Sequence, residues 1–342
     1  MTRHVTTWKV RARHAPCPFA PIPQQLTFTA DVEPSPTDPT GRRHLAATAA
    51  LLDLLDETGA RGTFFILGEV AEAARWLVRD IAARGHEVAS HNQTHRPLRA
   101  LGPAGLLAEA TRARATLQDL SGQAVAGFRA PFFSLTARTE WAARVIAEAG
   151  HAYSSSVLPA RCFGHGHPLA PRHPFAWRLG DGEELLELPV PLARLGPARL
   201  PFLGGMYLRY LPAWDLRAMA GRMEGPLAWI YCHPYDIDIG EPFRRAPGIG
   251  LLSGAFLWAN RRVTLGRLRA LLRGRRSVPL GERLEEARAL AAIGEGVPPR
   301  RRAGMRSRRL WLAGRTPISP SPVPLRPRPA PERAAPPRHD VP

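Results

Sequence analysis

Two histidines four residues apart, His91 and His95, stand in the stretch Ser90-His91-Asn92-Gln93-Thr94-His95. On one face of a helical turn that spacing lets both imidazoles reach a single metal ion. The zincin pattern shares the spacing but needs a glutamate beside its first histidine as general base. Here that position is Asn92, so a base has to come from elsewhere. Taken alone the pair is weak evidence, since two polar residues on a solvated turn read the same way. Asp31-Val32-Glu33 strengthens it, because these carboxylates close an earlier apolar stretch and face the same end of a sheet.

These residues must be positioned by strands. Leu26 to Asp31 and Gly62 to Leu67 read as buried strands, as does Gly85 to Ala89 leading into His91. Further strands end at Arg129, run near Tyr153, and cover Leu185 to Val190 and Ala228 to His233. Between them, helical spacing of apolar residues marks Leu45–Glu57, Val70–Arg84, Pro103–Leu120, Ala137–Ala149 and Leu265–Leu272, several closed by glycine. Such alternation argues for a parallel sheet with helical crossovers. The span 25–275 matches a (β/α) barrel of roughly 250 residues. A doubly wound sheet would call for a phosphate fingerprint, and no Gly-x-Gly-x-x-Gly follows the first strand. Asp31, Glu33, His91, His95 and Arg129 all fall at C-terminal strand ends, which in a barrel is the catalytic face. Past residue 160 the pattern loosens. Cys162, His165 and His167 could ligate a metal at cramped spacing, but a substrate-side loop explains them as well.

The chain has 342 residues, 44% of them hydrophobic, enough to build a sizeable core. No run of about 18 residues stays apolar and uncharged, so no membrane span is expected. Met1 to Ala20 lacks the apolar region of a signal peptide. Three cysteines without framework spacing favour a reducing compartment, and a cytoplasmic protein is expected. The net charge is +18, but from Arg300 onward eleven arginines face only Glu332 and Asp340, so half the excess sits in a Pro/Arg-rich tail. Disorder is expected there. Specific nucleic-acid binding is not expected, because no RNP, zinc-finger or helix-turn-helix signature accompanies the charge. The tail could still give weak contact with a membrane surface. The expected organisation is an irregular lead-in over 1–24, the barrel over 25–275, and the tail over 276–342.

The ordered motifs resemble the polysaccharide deacetylase family, the NodB-homology domain of carbohydrate esterase family 4. Thr29-Ala30-Asp31-Val32-Glu33 is similar to its first motif, and the His91/His95 stretch to its second. Phe128-Arg129-Ala130-Pro131-Phe132-Phe133-Ser134 resembles the third motif, and Tyr153-Ser154-Ser155-Ser156 a Tyr-Asp-Ser-Ser segment. Tyr231-Cys232-His233-Pro234-Tyr235-Asp236 resembles the fifth. Leu203-Gly204-Gly205-Met206-Tyr207-Leu208-Arg209 resembles a segment of the branch found with exopolysaccharide and exosortase gene clusters. The implied fold is α/β, a distorted, incomplete (β/α) barrel of the NodB-homology type.

The resemblance implies a hydrolase of carbon–nitrogen (non-peptide) bonds that removes N-acetyl groups from a sugar of a polysaccharide or its precursor. Glu33, His91 and His95 would hold a divalent metal, Zn²⁺ by default, with Co²⁺, Fe²⁺ or Ni²⁺ also suited to the donor set. Asp31 would be the general base, although in a straight strand Asp31 and Glu33 face the same side and their roles could be exchanged. Arg129 would pair with Asp31 and aim it. The backbone N–H of Phe132 would meet the oxyanion, and His233 would protonate the leaving amine. Each has a plainer reading: turn chemistry before Pro34, an arginine over the rim, a core histidine. One departure stands out, because Ser154 occupies the position of the aspartate associated with tuning the acid histidine. Asp236, Asp238 and Glu187 are the candidates to take its place. A hydrolase of a small cyclic amide, allantoinase-like, and a non-catalytic carbohydrate-binding barrel are the alternatives.

Overall fold

The structure is a computed structural model and describes residues 24–295, apart from 39, 162–165, 181, 221 and 246–249. Strand–helix alternation runs through its first half: β1 (Thr27–Val32), α1 (Arg43–Thr58), β2 (Gly62–Ile66), α2 (Gly68–Ala73), α3 (Arg75–Ala83), β3 (Glu87–Ser90), α4 (Leu98–Ser121), β4 (Gly127–Phe128), α5 (Ala142–Glu148) and β5 (Tyr153–Ser154). Then come β6 (Phe175–Gly180), β7 (Glu183–Glu187), a small hairpin of β8 (Ala193–Leu195) and β9 (Ala198–Leu200), α6 (Gly205–Tyr210), α7 (Ala213–Ala220), β10 (Trp229–Cys232), α8 (Leu251–Trp258), α9 (Thr264–Leu272) and α10 (Leu284–Glu295). Eight strands form one sheet in the order β10-β1-β2-β3-β4-β5-β7-β6. All neighbours are parallel except β6 with β7.

Every residue of β1 and β2 is buried, as expected of parallel strands covered on both faces. Phe28, Phe64, Ile66 and Val88 pack outward with Leu51, Leu55, Leu77 and Ile81 of the helices. Phe65, Ala89, Tyr153, Leu186 and Trp229, from five strands, meet in a second cluster on the other side. Only a curled sheet lets side chains from both of its halves converge in this way. The fold is the expected incomplete (β/α) barrel, open between its edge strands β10 and β6.

The helices differ from expectation where the backbone departs from helical geometry. The predicted helix over 70–84 is two, broken at Ala74 (φ −131°, ψ 58°). The helix expected from Pro103 is preceded by a turn at 98–101, with Gly102 (φ 66°, ψ 175°) as the break. At Gly59 (φ 64°) the left-handed backbone turns the N–H back onto the last carbonyls of α1, as its Gly identity predicted.

The body also continues beyond residue 275. Arg276 bridges to Gln25, Thr27 donates its Oγ1 hydrogen to the Val278 carbonyl at 2.9 Å, and Leu280 and Ala287 are fully buried inside the barrel. Residues 276–295 therefore floor the N-terminal end of the barrel instead of belonging to a tail. The rest of the expected tail lies outside the described residues. Among the described residues no helix is long and apolar enough to cross a membrane.

Candidate metal centre and active site

Register gathers the site. Val32, Ile66, Ser90, Phe128 and Ser154 stand in one row across the sheet. One step further along the chain come Glu33, His91 and Arg129. Period-two alternation turns Thr29, Asp31 and Glu33 to the inner face, with His91, Arg129, Tyr231 and His233. Cys232 takes the opposite face and is buried in the outer core.

Glu33, His91 and His95 bring one carboxylate oxygen and two imidazole nitrogens within 4.8 Å of one another. Glu33 Oε2 lies 2.5 Å from His95 Nε2 and 3.4 Å from His91 Nε2. His91 Nδ1 donates to the Arg129 carbonyl at 2.8 Å, which leaves its Nε2 lone pair facing the carboxylate. Glu33 Oε2 is buried and accepts no hydrogen bond. Its partner Oε1 accepts from the Tyr235 hydroxyl at 3.1 Å. Burial raises the Glu33 pKa, but the His91 and His95 rings and the charge of His233 outweigh it and hold the carboxyl well below its usual range. Convergent lone pairs around an unbonded buried oxygen fit a divalent cation.

The turn that carries the histidines is not helical, contrary to the spacing argument. Asn92 has φ 72°, which breaks any helix after His91. Glu109 of α4 organises the turn instead, accepting from Asn92 Nδ2 (2.6 Å), Thr94 Oγ1 (2.7 Å) and the Thr94 N–H (3.2 Å). Neither Glu109 nor Tyr235 stands out in the sequence. Glu109 stands 15 residues beyond Thr94, on the following helix, and that separation leaves no periodic signal.

Arg129 is fully buried and donates through Nη1 to Asp31 Oδ1 (2.5 Å) and Thr29 Oγ1 (2.9 Å), and through Nη2 to Ser155 Oγ (3.1 Å). Its guanidinium lies over the rings of Phe65 and Trp229, 3.9 and 4.6 Å from their centroids. A charge held by so many partners has a single position, and Asp31 takes its orientation from it. Asp31 thus faces the arginine while Glu33 faces the histidines. Phe132 (φ 59°) and Phe133 (φ 48°) follow in left-handed backbone, an unusual conformation for aromatic residues that clusters at working sites. The half-exposed Phe132 ring lies 4.3 Å from that of His95.

His233 follows β10. Its Nδ1 donates to Asp236 Oδ2 at 3.0 Å, and its backbone N–H to the same oxygen at 2.9 Å. Asp236 Oδ1 lies 3.5 Å from Nη2 of the buried Arg209 on α6. Burial lowers the His233 pKa, but the hydrogen bond to Asp236 and the charges of Glu33, Asp236 and Asp31 raise it overall to about 9. Of the three acids considered in place of a motif aspartate, only Asp236 touches the histidine. Asp238 is held by Arg43 at 2.6 and 2.7 Å. Glu187 is held by the Ser156 and Val157 N–H groups. Ser154 bonds to Ser156 Oγ at 2.8 Å. α6 reaches this position because a Cβ on Gly204 would fall 1.7 Å from the Tyr231 ring, so only glycine admits the approach. Cys162 and His165 lie outside the described residues, and His167 is engaged by Glu140 at 2.8 Å.

Residues 26–153 match the polysaccharide deacetylase family, and residues 155–283 match a domain of unknown function, DUF3473. A chitin deacetylase from Pestalotiopsis sp is 32% identical over 100 residues, covering 27% of this chain and 32% of that protein. A chitooligosaccharide deacetylase from Sinorhizobium fredii is 44% identical over 55 residues, covering 16% of this chain and 26% of its own length. The chain thus spans about a third of the length of the curated relatives it matches. A Mycobacterium smegmatis structure assigned to the polysaccharide deacetylases shares the fold, with TM-score 0.54 and 23% identity over 83% of this chain and 94% of that one. The site straddles the two matched regions, with Asp31 to Arg129 in the first and Arg209 to Asp236 in the second. Residues 26–153, the first half of the site, match the polysaccharide deacetylase family and carry its motifs in order.

Proposed function

We propose that this protein removes N-acetyl groups from a sugar of a polysaccharide or its precursor with the help of a divalent metal. The observation that carries the reading is the Glu33–His91–His95 cluster beside the Arg129-held Asp31 and His233. Glu33, His91 and His95 would hold the ion, and two imidazoles with one carboxylate suit Zn²⁺ as well as Co²⁺, Fe²⁺ or Ni²⁺. When bound, such an ion supplies Lewis acidity and an acidified water.

The chain's own groups account for the protons. Asp31, aimed by Arg129, takes the proton of the attacking water as the new C–O bond forms. The backbone N–H of Phe132 meets the developing oxyanion. His233, oriented by Asp236 through Nδ1, delivers the proton from Nε2 to the nitrogen as the C–N bond breaks, leaving acetate and a free amine. His95 and His233 are the partly exposed members of the site, so substrate enters over them. The absence of a disulfide spacing among the cysteines supports a cytoplasmic site of action and a precursor as substrate.

Plasma mass spectrometry on wild type and His91→Ala, with acetate release from N-acetylated chitooligosaccharides assayed alongside, tests the reading. About one metal per chain in wild type, lost together with acetate release in the variant, is the expected result. A metal-free wild type after reconstitution would overturn the metal dependence, and a loaded wild type that releases no acetate would overturn the substrate class.

A further inference from the structure

No residue of α8 is buried, although Leu251-Leu252-Ser253-Gly254-Ala255-Phe256-Leu257-Trp258 carries no charged side chain. Leu251 is 57% and Leu252 87% exposed, and Ile239, Phe243 and Phe256 are exposed as well. The patch is continuous: the Phe243 ring meets that of Trp258 edge-on at 5.7 Å. It is also held in place. Trp258 Nε1 donates to the Glu241 carbonyl at 2.8 Å, Tyr210 stacks on Phe256 at 4.1 Å, and Arg209 Nη1 donates to the Leu257 carbonyl at 2.5 Å. An anchored helix that turns leucines to water leaves an apolar face to be covered by something else.

The charges around it say what covers it. From Pro242 to Arg262 the chain has four arginines and no acid. Arg244, Arg245 and Arg262 are exposed, while the nearest acid, Glu241, is buried against Arg261. Apolar side chains rimmed by exposed arginines, with Asp238 already paired to Arg43 and Glu241 to Arg261, are the composition of a segment that lies in a membrane interface. Arginines at its edge are matched by anionic headgroups, each worth about 1 kcal/mol near such a surface. A protein partner would instead have to supply a ring of acids around an apolar centre.

We propose that α8, with Ile239 and Phe243, seats this protein on the surface of an anionic lipid bilayer, with Arg244, Arg245 and Arg262 among the headgroups. The seat is tied to the site. Ile239 follows Asp236 by three residues, and Arg209 spans from the last carbonyls of α8 to Asp236, the partner of His233. Docking would therefore hold the mouth of the barrel close to the headgroups, where a saccharide carried on a lipid would be presented. The proposal concerns a surface and stands whether or not the protein is a deacetylase.

Flotation of the full-length protein with phosphatidylcholine vesicles, with and without phosphatidylglycerol, tests it. Wild type is expected to float with the anionic vesicles and far less with the neutral ones. Leu251→Ser/Leu252→Ser and, separately, Arg244→Gln/Arg245→Gln are each expected to lower the bound fraction about tenfold. Both pairs are solvent-exposed, so melting temperatures should stay at the wild-type value. Wild-type protein that stays with the soluble fraction overturns the proposal. Undiminished flotation of the serine variant overturns it too, by assigning binding to another part of the chain such as its C-terminal arginines. So does a serine variant that turns a dimer into a monomer without any change in flotation, which would make the face a protein interface.

Discussion

At the scale of single residues, the site works through pairs. Asp31 has Arg129, His91 has the Arg129 carbonyl, and His233 has Asp236. The last pair answers the question posed by Ser154. An aspartate three residues beyond the histidine, inside the same 3-10 turn, supplies the carboxylate that the fourth motif lacks. Asp236→Asn keeps the size but replaces a strong acceptor by an amide, so the ring loses the interaction that fixes its tautomer and keeps it protonated. We expect kcat for acetate release to fall at least about tenfold with KM little changed. A merely structural role would move the melting temperature and leave that split absent. The residue was in plain view in the sequence, as one of three candidates. What could not be read was which of the three faces the ring, because Asp238 lies two residues further along and is drawn away by Arg43.

At the scale of elements, the loop after β3 and the helix after Gly204 matter most. Three hydrogen bonds from the 92–94 turn converge on Glu109, so that carboxylate sets where His95 stands. Glu109→Ala should lower metal affinity about 10- to 100-fold while leaving all three ligands in the chain. Isothermal titration of the metal-free protein would measure this, and wild-type affinity in the variant would show that the turn holds itself. Gly204→Ala brings a methyl into the Tyr231 ring, which must move, and His233 lies two residues on. Loss of activity with the metal content intact is the expected pattern, checked by mass spectrometry and acetate release on one preparation.

At the scale of the whole molecule, the barrel floor and the buried histidines decide stability. Leu280 sits fully buried among Phe65, Ala89 and Trp229, and truncation to alanine should cost about 2–5 kcal/mol in denaturant unfolding. A chain ending at residue 275 loses the floor altogether and should not unfold cooperatively, whereas one ending at 296 should. His86 and His151 are buried, and neither His151 ring nitrogen has a hydrogen-bond partner. Burial, joined by nearby arginines, lowers the folded-state pKa of His86 to about 4 and of His151 to about 3. Unfolded, each binds its proton near pH 6.5, so between these values the unfolded chain holds more protons than the folded one. Stability from both is full above about 6.5 and falls as the pH drops toward 4 and 3, by roughly 3 kcal/mol or more for each. His151→Phe, which can pack on Phe128, should shrink the difference in unfolding free energy between pH 7.5 and pH 5. An unchanged difference would mean that His151 does not contribute to it.

Legible in the sequence were the alternation of strands and helices, the barrel class and the ordered set Asp31, Glu33, His91, His95, Arg129 and His233. Those features are local: apolar periodicity, glycine at helix ends, and polar residues placed where apolar strands stop. Tertiary structure alone decided that Asp31 turns to the arginine and Glu33 to the histidines, that Glu109, Tyr235 and Arg209 support them, and that residues 276–295 close the barrel. These depend on which strands lie side by side and on how far the sheet curls. Register across the sheet is fixed by contacts between residues up to about two hundred and fifty positions apart, such as Thr27 with Val278, and no local pattern encodes such a pairing. The exposed face of α8 belongs to the same class. Its residues are plainly apolar in the sequence, and only the packed molecule shows that nothing described covers them.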